Sequence, residues 1–210
     1  VVDNLEEAGY SITNRHFEKT VGVDRNDIED DNLGQYTPMF AEMGELTSAL
    51  PEQLVWGLLN AGFTTNCFDG QFFFDTDHPI TDANGNQTTY ANTDGGAGTP
   101  WFLLCTNRSV KPIIYQERKP PEFVSMDKSN DEEVFKNRVF TYGVDMRCNV
   151  GYGFPQMAWG SRQTLNAANY AIARAAIQNM KGDGGRPLGL VPNLLVVPPT
   201  LESAARQILN

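Results

Sequence analysis

Between Cys67 and Pro79 the chain reads Cys-Phe-Asp-Gly-Gln-Phe-Phe-Phe-Asp-Thr-Asp-His-Pro, three carboxylates and a histidine in one short run. Asp75, Asp77 and His78 are the residue types of a metal-dependent hydrolase, in which carboxylates and an imidazole hold a cation that activates water. Their spacing argues otherwise. Adjacent residues on an extended chain point to opposite faces, so Asp77 and His78 do not converge on one ion. The helical His-Glu-x-x-His spacing is absent, as is the twelve-residue calcium loop with its closing Glu. Asp75 and Asp77 are equally suited to accepting backbone N–H bonds in an Asx turn ahead of Pro79. The stretch therefore reads as a structural turn, with no catalytic residue, no metal and no cofactor expected.

Other chemistry-bearing residues lead no further. Gly182-Asp-Gly-Gly-Arg-Pro-Leu-Gly189 superficially resembles a phosphate loop. It follows a helical pattern and leads into a strand, whereas a phosphate cradle opens a helix, and it lacks the Lys-Ser/Thr of a P-loop. His16 stands alone and reads as a surface side chain. Neither histidine has the context of a base for a Ser or Cys nucleophile. Cys67, Cys105 and Cys148 are odd in number, widely spaced and without a Cys-x-x-Cys pair, which fits buried reduced thiols better than zinc knuckles or disulfides.

Composition narrows the class. The chain has 210 residues, 40% of them hydrophobic, enough for one sizeable domain or two small ones. A formal net charge of −10 argues against gripping nucleic acid, since like charge repels phosphate. No apolar run is long enough to span a membrane, and no signal peptide is visible. The chain does not open on Met and stops inside a periodic pattern, which points to a processed or partial chain.

The elements that must position these residues follow from periodicity. Residues 10–25 alternate with Phe17, Val21 and Val23 on one side, a strand that the acidic run Ile28-Glu-Asp-Asp31 ends. Thr37-Pro38 opens a helix whose stripe Met39, Met43, Leu46, Leu50, Leu54 and Leu58 runs straight through Pro51 to a stop at Gly62. That stripe reads as core, in one long helix kinked at Pro51 or two nearly collinear ones. Residues 82–100 carry turn chemistry without periodicity and read as a long exposed loop. Strands are expected at 101–105, 113–116 and 139–152, with a solvated connection from Glu117 to Arg138. A helix follows, with Leu165, Ala168, Ile172, Ala176 and Met180 on one face. A short buried strand at 194–197 and a helix carrying Leu201, Ala204 and Ile208 complete the chain. Strands and helices are segregated more than alternated, giving an α+β class.

Read in order, Tyr10-Ser-Ile-Thr-Asn-Arg, Phe17-Glu-Lys-Thr-Val, Ile28-Glu-Asp-Asp and Tyr36 with Pro38 and Glu42-Met-Gly resemble the major head subunit family of Mu-like bacteriophages. The resemblance continues through Phe68-Asp-Gly-Gln-Phe-Phe-Phe-Asp-Thr-Asp-His-Pro, Lys111-Pro-Ile-Ile-Tyr-Gln-Glu-Arg, Phe140-Thr-Tyr-Gly-Val-Asp-Met-Arg and Leu195-Val-Val-Pro-Pro-Thr-Leu-Glu. It covers nearly the whole chain. It implies a Hong-Kong-97-type capsid fold, with an extended-loop strand or hairpin over 1–35, a peripheral domain with a spine helix over 36–160, and the start of an axial domain over 161–210. Segments at both ends of the family's fold would then be missing.

The function so implied is that of a major capsid protein. It would self-assemble into hexamers and pentamers and enclose double-stranded DNA in an icosahedral head without reading its sequence. Its partners would be further copies of itself, with scaffolding and portal proteins, and no membrane. Its place would be the virion capsid, assembled in the host bacterial cytoplasm. An encapsulating shell of cellular origin with the same fold, and the hydrolase built on Asp75, Asp77 and His78, are the alternatives. The resemblance also implies a subunit interface at Tyr10, Phe17, Val21, Val23, Glu29, Asp30 and Asp31. The apolar side chains among them are expected to be exposed in one chain and covered by a neighbour.

Overall fold

The structure is a computed structural model that describes residues 11–30, 34 and 36–209. In chain order it has strand β1 (Arg15–Asp24), helices α1 (Arg25–Glu29) and α2 (Tyr36–Ala61), then strands β2 (His78–Thr81), β3 (Gln87–Tyr90), β4 (Thr93–Gly96) and β5 (Trp101–Leu104). Strand β6 (Ile113–Met126), helix α3 (Glu132–Asn137), and strands β7 (Val139–Tyr152) and β8 (Ala158–Arg162) follow. Helix α4 (Ala167–Gln178), strand β9 (Leu194–Val196) and helix α5 (Glu202–Leu209) complete it. Among the described residues no helix is long and apolar enough to cross a membrane. The class is α+β, as the element order implies.

The chain divides into two compact units. The core unit is built chiefly from Gly57–Ile114 and Gly151–Asn210; the sheet unit is Ile12–Trp56 with Tyr115–Val150. Strand β1 thus shares a unit with elements more than a hundred residues away, because all ten of its residues pair antiparallel with β7, from Arg15↔Cys148 to Asp24↔Val139.

In the core unit four strands lie in the order β4-β8-β5-β9, with β4 parallel to β8 and the other pairs antiparallel. All four residues of β5 are buried, and the two-residue period of a strand sends them to opposite faces. Trp101 and Leu103 enter a cluster with Trp159, Leu165, Ile177 and Leu190; Phe102 and Leu104 enter another with Leu59, Phe73, Phe74 and Tyr152. The Phe74 ring fits between two glycines. A Cβ on Gly62 would stand 2.7 Å from it and one on Gly160 2.6 Å, so both positions require the missing side chain.

In the sheet unit three strands run in the order β1-β7-β6. Helix α2 is continuous across Pro51, as its unbroken stripe predicts. The stripe is less of a core than expected: Met43 is buried, Leu46 is exposed, and Leu50 and Leu54 are half-buried.

Several other expectations are corrected. Strand β1 ends at Asp24, ahead of the acidic run, and Arg25–Glu29 form a short helix capped by the Asp24 carboxylate, which accepts from Asn26 N. Residues 82–100 are not one loop. They contain β3 and β4, and β3 closes a hairpin with β2 from His78↔Tyr90 to Thr81↔Gln87. Strand β6 continues through Pro120–Pro121 to Met126, and α3 follows it, so 117–138 is more than a connection. Helix α4 begins at Ala167, with Asn166 as its cap, and buries Ala173 and Ile177; Ile172 and Ala168 face solvent. Leu165 lies before the helix and so does not share its period. Residues 194–197 are half-buried or exposed, because β9 is the outer strand of its sheet.

Candidate functional site

The chain of residues 62–78 folds back on itself after α2. Cys67 N donates to Gln71 O at 2.8 Å, Asn66 and Phe72 form a bridge, and Gly70 sits at φ 87°, a conformation that favours glycine. This reversal lays Asp69 against His78 across nine residues of sequence. His78 Nδ1 is 2.7 Å from Asp69 Oδ2, His78 is fully buried, and the Asp69 side chain is 9% exposed. The buried Cys67 thiol donates to the other carboxylate oxygen, Oδ1, at 3.0 Å, and Gln71 N donates to the same atom at 3.0 Å.

On its far side the imidazole meets Asn92. Asn92 Nδ2 donates to Phe73 O at 2.7 Å and to Pro155 O at 3.1 Å, while its Oδ1 accepts from Asp75 N at 2.9 Å and faces His78 Nε2 at 3.3 Å. Tyr90, paired with His78 across the hairpin, stacks on the ring with centroids 4.9 Å apart and planes 16° from parallel.

The electrostatics follow from this packing. Burial pushes the Cys67 thiol up to about 12, and its bond to Asp69 adds to the shift. Asp69 is pushed up by burial but pulled further down by the hydrogen bonds from Cys67 and Gln71 N and by its contact with His78, so its carboxyl lies below the usual carboxylate range. Burial, with the Asp69 charge next, raises the Tyr90 phenol. A carboxylate oxygen of Asp69, a ring nitrogen of His78 and Cys67 Sγ all lie within 4.8 Å of one another, and these are the side chains able to hold a metal here.

The trio Asp75, Asp77 and His78 is not brought together. Asp75 accepts from Phe72 N at 3.3 Å and Thr76 N at 2.7 Å, a turn role of the kind expected. Asp77 is exposed, and its backbone carbonyl accepts from Gln71 Nε2 at 3.4 Å. The hydrolase built on these three residues therefore lacks its geometry. Sequence reasoning missed Cys67, Asp69 and Asn92 as partners of His78. The signal available was Asp69-Gly70, a turn pair able to reverse the chain.

The interface residues fare unevenly. Val23 is buried within its own chain, and Phe17 and Val21 are half-buried, which corrects the expectation of exposure. Met43, Leu46 and Leu50 of α2 and Val144 and Met146 of β7 line a common groove with Phe17 and supply the partners that the local sequence lacks. Glu29 and Asp30 are exposed; Tyr10 and Asp31 lie outside the described residues. His16 is exposed, with Nε2 3.5 Å from Asp145 Oδ2, and all three cysteines are free and buried, as read from the sequence.

Solved structures share this fold. The chain is similar to a subunit chain from the procapsid of bacteriophage JBD30, with 53% identity, a TM-score of 0.81, and coverage of 95% of this chain and 68% of that one. A chain from the JBD30 capsid matches at 34% identity and a TM-score of 0.79, covering 93% and 67%. The fold is that of a phage capsid subunit. Among curated proteins, the Mu-like prophage FluMu major head subunit of Haemophilus influenzae is 47% identical over 213 residues, 98% of this chain and 69% of the relative. The major capsid protein of Escherichia phage Mu is 43% identical over 215 residues, 100% of this chain and 70% of the relative. The family described as Mu-like prophage major head subunit gpT matches residues 1–210, and the chain belongs to it. It is a structural protein of the virion capsid and not an enzyme.

Proposed function

We propose that the chain builds the wall of a phage head as hexameric and pentameric capsomers, in a Hong-Kong-97-type arrangement, around double-stranded DNA. Residues 1–35 serve as the extended loop, α2 as the spine helix and the segment from 161 onward as part of the axial domain. The observation that carries the assembly reading is the sheet unit itself. It leaves Phe123 and Phe135 exposed, at 55% and 80%, and Leu46 and Met126 as well. Burial of a large apolar side chain stabilises by about 1.5–3 kcal/mol, so these side chains favour a covering surface, which a neighbouring copy provides.

Glu29, Asp30 and the half-buried Phe17 and Val21 belong to the same proposed interface, with Val23 supporting it from beneath. Tyr10 and Asp31 belong to it by the family resemblance. The net charge of −10 suits a wall that must not adhere to packaged DNA. Scaffolding and portal proteins are the further partners proposed, and decoration by minor capsid protein trimers, seen on the JBD30 capsid, is a property open to this chain as well. Electron microscopy and sedimentation of the purified protein test the reading. Rings or closed particles are expected, and a protein that stays monomeric at high concentration, with and without scaffold, rules it out.

A further inference from the structure

The cluster around His78 is not needed for a shell wall, since well-packed apolar residues hold a core at least as firmly as buried charged groups. Its hydrogen bonding also contains a conflict. Three contacts fix the Asn92 amide, because Nδ2 faces two carbonyl oxygens and Oδ1 accepts the Asp75 N–H. Oδ1 is therefore an acceptor where it faces His78 Nε2, and Nε2 carries hydrogen. A neutral imidazole has only one N–H, so Nδ1 then turns a lone pair on the Asp69 carboxylate 2.7 Å away. A cation between the two removes the repulsion.

A proton would suffice for Asp69 and His78 alone. Cys67 favours a metal ion, because a thiol adds little to an imidazolium–carboxylate pair but thiolate, imidazole and carboxylate together form a zinc ligand set. Asp69 directs one oxygen toward Cys67 and the other toward His78, so its carboxylate spans the space the ion would fill. The surroundings also fit. A metal-bound imidazole usually donates its second N–H to a fixed acceptor, the place Asn92 occupies, and Gln71 N braces the carboxylate.

We propose that Cys67 Sγ, the Asp69 carboxylate and His78 Nδ1 bind a divalent transition-metal ion of the zinc class, with Asn92 positioning the imidazole. This departs from the expectation of no metal, which weighed His78 against its neighbour Asp77 rather than against residues across the turn. On binding, the Cys67 thiol gives its proton to solvent and the thiolate replaces its bond to Asp69. Ligand atoms about 2.0–2.3 Å from a tetrahedral ion lie somewhat farther apart than the present 2.7 and 3.0 Å contacts, so the side chains open slightly around it. The ion ties the turn after α2 to strand β2. It stands independently of the shell assignment.

The test uses the full chain purified from cells grown with added zinc. Elemental analysis should find about one zinc per chain, falling at least about tenfold in Cys67→Ser and His78→Gln. Cobalt(II) added to metal-stripped protein should give a thiolate-to-cobalt absorption band that Cys67→Ser abolishes. Zinc should raise the melting temperature of the parent chain and not of Cys67→Ser. Serine retains a hydroxyl for Asp69, and circular dichroism verifies that this variant folds. A folded parent chain that takes up no zinc and shows no cobalt band overturns the proposal and leaves a proton in the site. So does a Cys67→Ser variant that keeps both.

Discussion

The two compact units solve the problem of burial in opposite ways. In the core unit a central strand is covered on both faces, so Trp101 to Leu104 are all buried, and the polar cluster around His78 is buried in the same unit. In the sheet unit, strands of ten and fourteen residues bury few hydrophobic side chains, Val23, Met146 and Cys148, and the helices of that unit add only Met43 and Val134 among the described residues. Its charged groups lie at the surface, where Lys119 pairs with Asp145 at 2.7 Å and with Glu122 at 2.9 Å, contacts that contribute little each. The core unit has the interior of a self-sufficient domain. The sheet unit resembles half of an interface, and its stability is expected to depend on what assembles onto it.

The largest expected effect tests the self-sufficiency of the core unit. Trp101→Ala removes a fully buried indole whose Nε1 donates to Gln163 O at 2.9 Å, and should cost about 3–5 kcal/mol in a denaturant titration. A smaller loss would show that the central strand is less tightly held than its burial implies. In the sheet unit the corresponding change goes the other way. Pro51 lies inside α2 without an N–H to donate, so Pro51→Ala should stabilise that unit, by as much as about 3 kcal/mol, seen as slower amide exchange between residues 47 and 55.

Next comes the double change Phe123→Ser with Phe135→Ser. Both side chains are exposed, so the stability of the unassembled chain should move by no more than about 0.5 kcal/mol while particle yield falls sharply in sedimentation. Normal assembly would break the contrast between the units. The smallest effect concerns the β2–β3 turn. The Asp82 carboxyl is held below its ordinary 3.8 by bonds from Asn86 N and Asn84 N. A depressed folded value means the contribution is present above 3.8 and is lost as pH falls through the lower folded value. Exchange at Asn84 and Asn86 should therefore reveal a loosening turn in acid, and Asp82→Asn should remove that pH dependence.

What could be read in advance follows the same division between local and distant causes. Strand β7 was legible to the residue, because Phe140, Tyr142, Val144 and Met146 alternate within one stretch. Helix α2 was legible through its three-and-four spacing even across a proline. Strand β3 was not, since Gln87, Thr88 and Thr89 are exposed and offer no hydropathy pattern; only backbone pairing with β2 makes them a strand. The site behaved likewise. His78 drew notice by its type, but Asp69 reaches it through a backbone reversal at Gly70, and Asn92 arrives from beyond the hairpin. The burial of Val23 depends on β7, whose Phe140 lies opposite it far along the chain.

Pro120 and Pro121 in β6 bear on a hazard peculiar to proteins made in many copies. Strand β6 is the outer strand of its sheet, fourteen residues long and exposed over most of its length, an open template for a foreign strand. Successive N–H groups along a strand point to opposite edges, so two adjacent prolines remove one donor from the side of β7 and one from the free side. A second chain that tried to extend the sheet would find a gap in the ladder at its middle. A crowded pool of unassembled subunits is thereby steered away from indiscriminate ribbon growth, and the contacts left to it are made by side chains, which can choose their partners.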